Sequence, residues 1–123
     1  MAEITEHDPG PGAPLLSWPD LADGALVEAE ACIDGAQESL IVHRTGNCVR
    51  AWLNVCPHAG RRLDWAPGRF LVSREGHLVC AAHGASFALE TGECIAGPCR
   101  GQSLRAVAVV TDDAGLHLAP PAA

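Results

Sequence analysis

The stretch from Asn54 to Gly84 constrains this chain more than any other. It opens with Asn54-Val55-Cys56-Pro57-His58-Ala59-Gly60 and closes with Leu78-Val79-Cys80-Ala81-Ala82-His83-Gly84. Each end supplies one thiol and one imidazole at very short range. The spacings suit two tight loops better than the face of a helix. Gly60 and Gly84 let the backbone turn just past each pair. A fold that uses these residues together must bring two loops from separate parts of the chain to one place. It then presents two thiolates and two neutral imidazoles.

Two metal chemistries fit such a set. One is a tetrahedral zinc site of two Cys and two His. The other is a 2Fe-2S centre in which two His replace two Cys on one iron. Zinc fingers group Cys with Cys and His with His, whereas here each loop carries one of each. That alternation suits a dinuclear cluster, because each loop can give a thiolate to one iron and an imidazole to the other. The surrounding residues resemble the Rieske family: Cys56-x-His58-x-Gly60, then Cys80-x-x-His83-Gly84-x-x-Phe87, then Thr91-Gly92, then Gly97-Pro98. The resemblance implies one 2Fe-2S cluster per chain. Cys56 and Cys80 would bind one iron, and His58 and His83 the other. Gly60, Gly84, Ala85, Phe87, Gly97 and Pro98 would surround it, the last two as a covering turn.

The resemblance also bears on redox potential. High-potential members carry an extra Cys in each loop, which pair as a disulfide; Arg61 and Ala82 stand at those positions. They also donate hydroxyl hydrogen bonds to the cluster sulfurs from a Ser and a Tyr, where this chain has Ala85 and Phe87. Both donors are missing, so a low potential is expected. Ser86, between them, is expected at the surface, with its hydroxyl facing solvent or bonded locally; the lesser alternative is that it restores a cluster hydrogen bond. Many oxygenase-linked members place Arg after the first His, and Ala59 departs from that pattern.

The rest of the chain supplies a scaffold. At 123 residues it is long enough for one domain with a real core. Aromatic residues make up 4% and Tyr is absent, so that core is built from small and β-branched side chains. The net charge of -7 argues against nucleic acid, whose phosphates require basic partners. Residues 1–14 show no apolar secretory segment, and no apolar run is long enough to span a membrane. A cytoplasmic location is expected, where Cys32, Cys48, Cys94 and Cys99 stay mostly reduced.

Strands are expected over residues 25–33, 38–44 and 48–55, with turns at Asp34-Gly35 and Thr45-Gly46-Asn47. Short hairpins are expected at 69–80, around Arg74-Glu75-Gly76, and at 87–95, around Thr91-Gly92. Residues 104–111 (LRAVAVVT) read as one strong strand that turns at 112–115 into a last strand, 116–118. No helix of ordinary length is evident. The fold class is all-β. The resemblance implies a Rieske-like antiparallel β-sandwich or barrel with an inserted cluster-binding subdomain. The domain is expected to run over 15–119, with that subdomain at about 56–98. Residues 1–14 and 120–123 form loose tails.

Several residues carry alternatives. Cys94 and Cys99 read as buried free thiols, spare ligands or a redox pair. Trp52 reads as core, and Trp65 as a cluster shield or an exposed contact. Arg61, Arg62 and Arg69 make a basic cluster on an acidic chain, either a solvated loop or a docking patch for an acidic reductase. His7, His43, His77 and His117 read as ordinary.

No nucleotide loop and no second metal constellation is present, so catalysis is not expected. The reading that follows is an electron-transfer protein: a soluble one-electron carrier between a flavoprotein reductase and an oxygenase or other redox acceptor. No nucleic-acid or membrane partner is expected. Two alternatives stand beside it. One is a non-catalytic subunit of a larger oxidoreductase, similar to the small subunit of nitrite reductase. The other is a redox-sensing binding module.

Overall fold

Two tight turns fold the first long hairpins. The computed structural model describes residues 13–57, 60–81 and 84–120. Strand β2 (Leu26–Ile33) reverses through Asp34-Gly35 into β3 (Ala36–Thr45). Both turn residues have positive φ, 54° and 84°, which is the demand of a type I′ turn and the reason Asp-Gly serves there. Gly46-Asn47 then reverses β3 into β4 (Cys48–Leu53), with Thr45 opposite Cys48.

The other strands are shorter. Strand β1 (Leu16–Ser17) leads into a 3₁₀ turn, Trp18–Asp20. Strands β5 (Leu71–Val72), β6 (Leu78–Val79), β7 (Ser86–Phe87) and β8 (Cys94–Ala96) follow the first ligand loop. Strands β9 (Val109–Thr111) and β10 (Gly115–Leu118) end the described chain. Among the described residues these form three antiparallel sheets, ordered β1-β10-β9, β2-β3-β4 and β5-β6-β7-β8. The all-β architecture read from the sequence is the one observed.

The sheet β2-β3-β4 separates two cores. Leu40 and Val42 of β3 pack with Ala51, Ala29, Ala31, Leu21 and Leu116. Ile41, between them, faces the opposite way and packs with Trp52, Leu63, Leu78 and Phe87. Successive side chains on a strand point to opposite faces. Register carries the division across the ladder, since Val42 sits opposite Ala51 and Ile41 opposite Trp52. The central run Leu40-Ile41-Val42 is therefore buried on both faces, which explains why it is continuously apolar rather than alternating.

Two sequence expectations need correction. Residues 104–111 do not form one strand. Leu53 N donates to Arg105 O and Val107 N to Ala51 O, so the segment first lies beside β4, with Ala106 bridged to Trp52. Ala119 N then donates to Ala108 O, and β9 pairs with β10. The segment leaves one sheet and joins another, which breaks the ladder although the apolar alternation runs on. In the hairpin at 87–95, pairing begins at Ser86 and reaches Ala96, with a register shift between Ser86 and Phe87. Residues 1–12 and 121–123, most of the expected tails, lie outside the described residues.

Candidate metal centre

Both thiols expected to bind iron sit where a strand gives way to a loop. Cys56 follows β4 and Cys80 follows β6. Both are fully buried and belong to the same core cluster. The two loops close in the same way. Cys56 N donates to Arg61 O at 2.7 Å, and Gly60 N donates to Cys56 O at 2.8 Å. Cys80 N donates to Ala85 O at 2.7 Å, and Gly84 N donates to Cys80 O at 2.8 Å. The bonded atoms lie at equal offsets from each Cys although the motifs differ in spacing. Each closure needs a left-handed residue, and Gly60 and Gly84 supply it with φ of 67° and 77°. His58, Ala59, Ala82 and His83 lie outside the described residues.

Polar contacts that sequence reading did not single out tie the loops together. Asn54, at the end of β4, is a buried polar residue. Its Nδ2 donates to Ser39 Oγ at 3.2 Å, and its Oδ1 accepts from Leu63 N at 2.9 Å. Leu63 O in turn accepts from Ala81 N at 3.3 Å, in the second loop. Ser39 Oγ donates to Glu28 Oε2 at 2.6 Å. The one visible signal was a carboxamide closing an apolar strand just before a ligand.

Arg62 completes this network. Its guanidinium holds Asp64 through Nε at 3.0 Å and Nη2 at 2.7 Å, and Nη2 also reaches Glu28 Oε2 at 2.8 Å. Such forked pairing combines charge with fixed geometry. The Asp64 carboxylate is also held by Gly68 N at 3.1 Å, and its side chain is 2% exposed. The Arg62 hydrogen bonds push the Asp64 carboxyl below the usual range, against the opposing effect of burial. The same pairing raises the pKa of Arg62. Its charge is thus answered within the chain although the side chain is exposed, which leaves Arg61 and Arg69 as the members of the basic cluster with no ion pair among the described residues. Arg69 lies over the Trp65 ring at 5.9 Å, and Trp65 is 61% exposed. Trp65 is therefore a surface residue and Trp52 a core one.

The flanking positions are apolar. Ala85 and Phe87 are fully buried, and neither side chain carries a donor. Ser86 is half-buried on β7. Cys94 and Cys99 are buried, with Sγ atoms 3.0 Å apart. Burial, then the Cys94 contact, pushes the Cys99 thiol up to about 12, with a smaller contribution from Cys56. Among the described residues no three His, Cys, Asp or Glu side chains converge to hold a metal ion, so Cys94 and Cys99 do not complete one with Cys56 and Cys80. His117 pairs with Asp112 at 3.0 Å, and burial followed by the nearby Arg50 lowers the pKa of His43. Both act in the scaffold; His7 lies outside the described residues.

Two turns closed by the same hydrogen bonds thus each carry a buried thiol just past an antiparallel strand. The family model of the Rieske [2Fe-2S] domain matches residues 17–112. This chain belongs to the Rieske [2Fe-2S] domain family, and the cofactor of that family is a 2Fe-2S cluster.

Solved structures give the same answer. The chain is similar to the ferredoxin of carbazole 1,9a-dioxygenase from Nocardioides aromaticivorans IC177, with 29% identity and a TM-score of 0.64, covering 88% of this chain and 96% of that one. It shares its fold with a Sphingomonas yanoikuyae B1 ferredoxin, at 23% identity and a TM-score of 0.61, covering 88% and 97%. Ferredoxins are electron-transfer proteins rather than enzymes. The fold also occurs in the terminal oxygenase of carbazole 1,9a-dioxygenase from Novosphingobium sp. KA1, at 17% identity and a TM-score of 0.66. There 84% of this chain matches 28% of the oxygenase chain. Comparison with curated proteins gave no match.

The two described thiols suit such a cluster. Thiolate ligands need shielding from water and fixed backbones, and Cys56 and Cys80 have both.

Proposed function

We propose that Cys56 and Cys80 bind one iron, that His58 and His83 bind the other, and that the chain is a soluble cytoplasmic one-electron carrier. It takes electrons from a flavoprotein reductase and passes them to an oxygenase or another redox acceptor. The observation that carries this reading is the equivalence of the two loops: the same hydrogen-bond closure around two buried thiols, in one core. Similarity to a ferredoxin at 29% identity, over 96% of that protein's length, supports the carrier reading.

The cluster, when bound, supplies a single electron that it can accept and release. This chain's residues hold and shelter it. The closures at Gly60 and Gly84 fix the two Cys backbones. Leu63, Leu78, Phe87 and Trp52 keep water from the thiols. Asn54 ties the first loop to Leu63 and through it to Ala81 of the second. Gly97-Pro98 forms the cover. On this reading a single domain runs over residues 15–119, with its cluster-binding part at about 56–98.

The potential is placed near the bottom of the range of Rieske centres, roughly −150 to +300 mV, a property of the class. The support is Ala85 and Phe87, buried side chains with nothing to donate where high-potential members carry hydroxyls. Fewer donors leave the reduced, more negative state less stabilised. The cytoplasmic assignment is supported by the free, exposed thiols of Cys32 and Cys48. Among the described residues no helix is long and apolar enough to cross a membrane.

Purified protein decides the reading. Metal and acid-labile sulfide analysis should give iron and sulfide in equal amounts. Electron paramagnetic resonance of the reduced state should show coupling to imidazole nitrogen. Colourless, zinc-loaded protein overturns the ligand assignment. A midpoint above about +150 mV in a redox titration overturns the low potential alone.

A further inference from the structure

Cys94 and Cys99 carry chemistry that the ligand set leaves unused. Cys94 opens β8, and Cys99 lies in the turn after Gly97-Pro98. Their Sγ atoms are 3.0 Å apart, roughly 1 Å beyond the covalent S–S length. Both thiols belong to the core that holds Cys56 and Cys80.

The turn between them rests directly on the second ligand loop. A Cβ on Gly97 would lie 2.8 Å from Ala85 Cα, so only glycine permits this approach. Ala85 O is the atom that accepts from Cys80 N. The outward side of the turn, at Gly97, Pro98, Arg100 and Gly101, is exposed. Two of its hydrogen bonds, Arg100 N to Gly97 O and Gly101 N to Cys94 O, are long at 3.2 Å. Gln102 anchors the far end of the turn, with its N donating to Cys99 O at 2.9 Å and its O accepting from Cys94 N at 2.7 Å.

We propose that Cys94 and Cys99 form a reversible disulfide, driven by hydrogen peroxide, that latches the Gly97-Pro98 turn onto the second ligand loop. One thiolate attacks the peroxide O–O bond, becoming a sulfenic acid and releasing hydroxide. The second thiol displaces the sulfenic oxygen as water and forms the S–S bond. In sum, two thiols and one peroxide give one disulfide and two waters. Cys32 and Cys48 do not compete as partners for each other: Cys32 faces Gln37 near one end of the sheet and Cys48 faces Thr45 at the other. Cross-linking removes the freedom of the turn to lift away. The latch's effect on the cluster rests on the ligand assignment above; the disulfide itself does not.

The experiment treats the holoprotein with one equivalent of hydrogen peroxide, blocks remaining thiols after denaturation, and maps cysteines by mass spectrometry. The expected result is loss of two hydrogens from the peptide holding Cys94 and Cys99, restored by a reducing dithiol. Cys94→Ser and Cys99→Ser should each abolish it. Where a variant fails to fold, the mapping of the unaltered chain still decides. Recovery of both residues blocked as free thiols overturns the disulfide. In the oxidised protein, cluster loss to an iron chelator, followed by visible absorption, should slow roughly tenfold. An unchanged rate with the disulfide formed overturns the latch. Absence of any cluster absorption before treatment overturns the ligand assignment, while the mapping still tests the disulfide.

Discussion

Asn54 is tied to both cysteine loops, directly to Leu63 and through it to Ala81. Its carboxamide is buried, donates to Ser39 and accepts from Leu63 N. Asn54→Leu keeps the branched shape and heavy-atom count and removes both contacts, which leaves a buried N–H without a partner. The expected cost is about 1–3 kcal/mol in urea denaturation, with faster cluster release. A variant as stable as the parent would show that the contact carries nothing. Asp64 sets a pH dependence. Arg62 holds its carboxyl below the ordinary range, so the unfolded chain binds the proton more readily. The resulting stability is present above the unfolded pKa of about 3.9 and is lost as pH falls through the lower folded value. Asp64→Asn should therefore flatten the acid limb of a stability–pH curve, as thermal melts between neutral and acid pH would record. Little of this was legible in the sequence. Asn54, Ser39, Glu28 and Arg62 are scattered along the chain, and hydrogen-bond partners so far apart leave no periodic signal.

Strand β3 shows how an element divides its labour. Ile41 faces the core of the ligand loops, and Val42 faces the core on the other side of the sheet. Ile41→Ala should cost about 2–5 kcal/mol and also speed cluster loss to a chelator. Val42→Ala should destabilise the chain by a smaller amount, with the rate of cluster loss from folded protein unchanged. Equal rates for the two variants would mean that the sheet does not insulate the two cores. At this scale the sequence was informative where structure is local. Asp34-Gly35 and Gly46-Asn47 announce their hairpins, since a two-residue turn is chosen by its own backbone demands. Residues 104–111 misled, because apolar alternation reports which side chains are buried but not which neighbouring strand receives the hydrogen bonds. The switch from β4 to β10 is a property of sheet closure and leaves the pattern unbroken.

At the scale of the molecule, a chain of net charge -7 carries a small cationic surface near its ligand loops. With Arg62 tied to Asp64 and Glu28, that surface reduces to Arg61 and Arg69, next to the exposed Trp65. As part of the proposed carrier role, it suits an acidic face of the reductase. Arg61→Glu with Arg69→Glu should slow electron uptake at low salt and lose that effect at high salt, as stopped-flow reduction would measure. An unchanged rate at low salt removes the patch from the docking surface.

The sequence by itself determined the all-β class, the two long hairpins turned at Asp34-Gly35 and Gly46-Asn47, and the membership of two Cys–His loops in one motif. Each of these is written in residues close together, through turn chemistry, strand alternation and ligand spacing. Only the tertiary structure decided that the two loops close with the same hydrogen bonds and that Arg62 is ion-paired to Asp64 and Glu28. It also decided that residues 104–108 cross between sheets and that Cys94 meets Cys99. These depend on which distant segments meet when three sheets pack, and side-chain order along the chain does not specify that meeting.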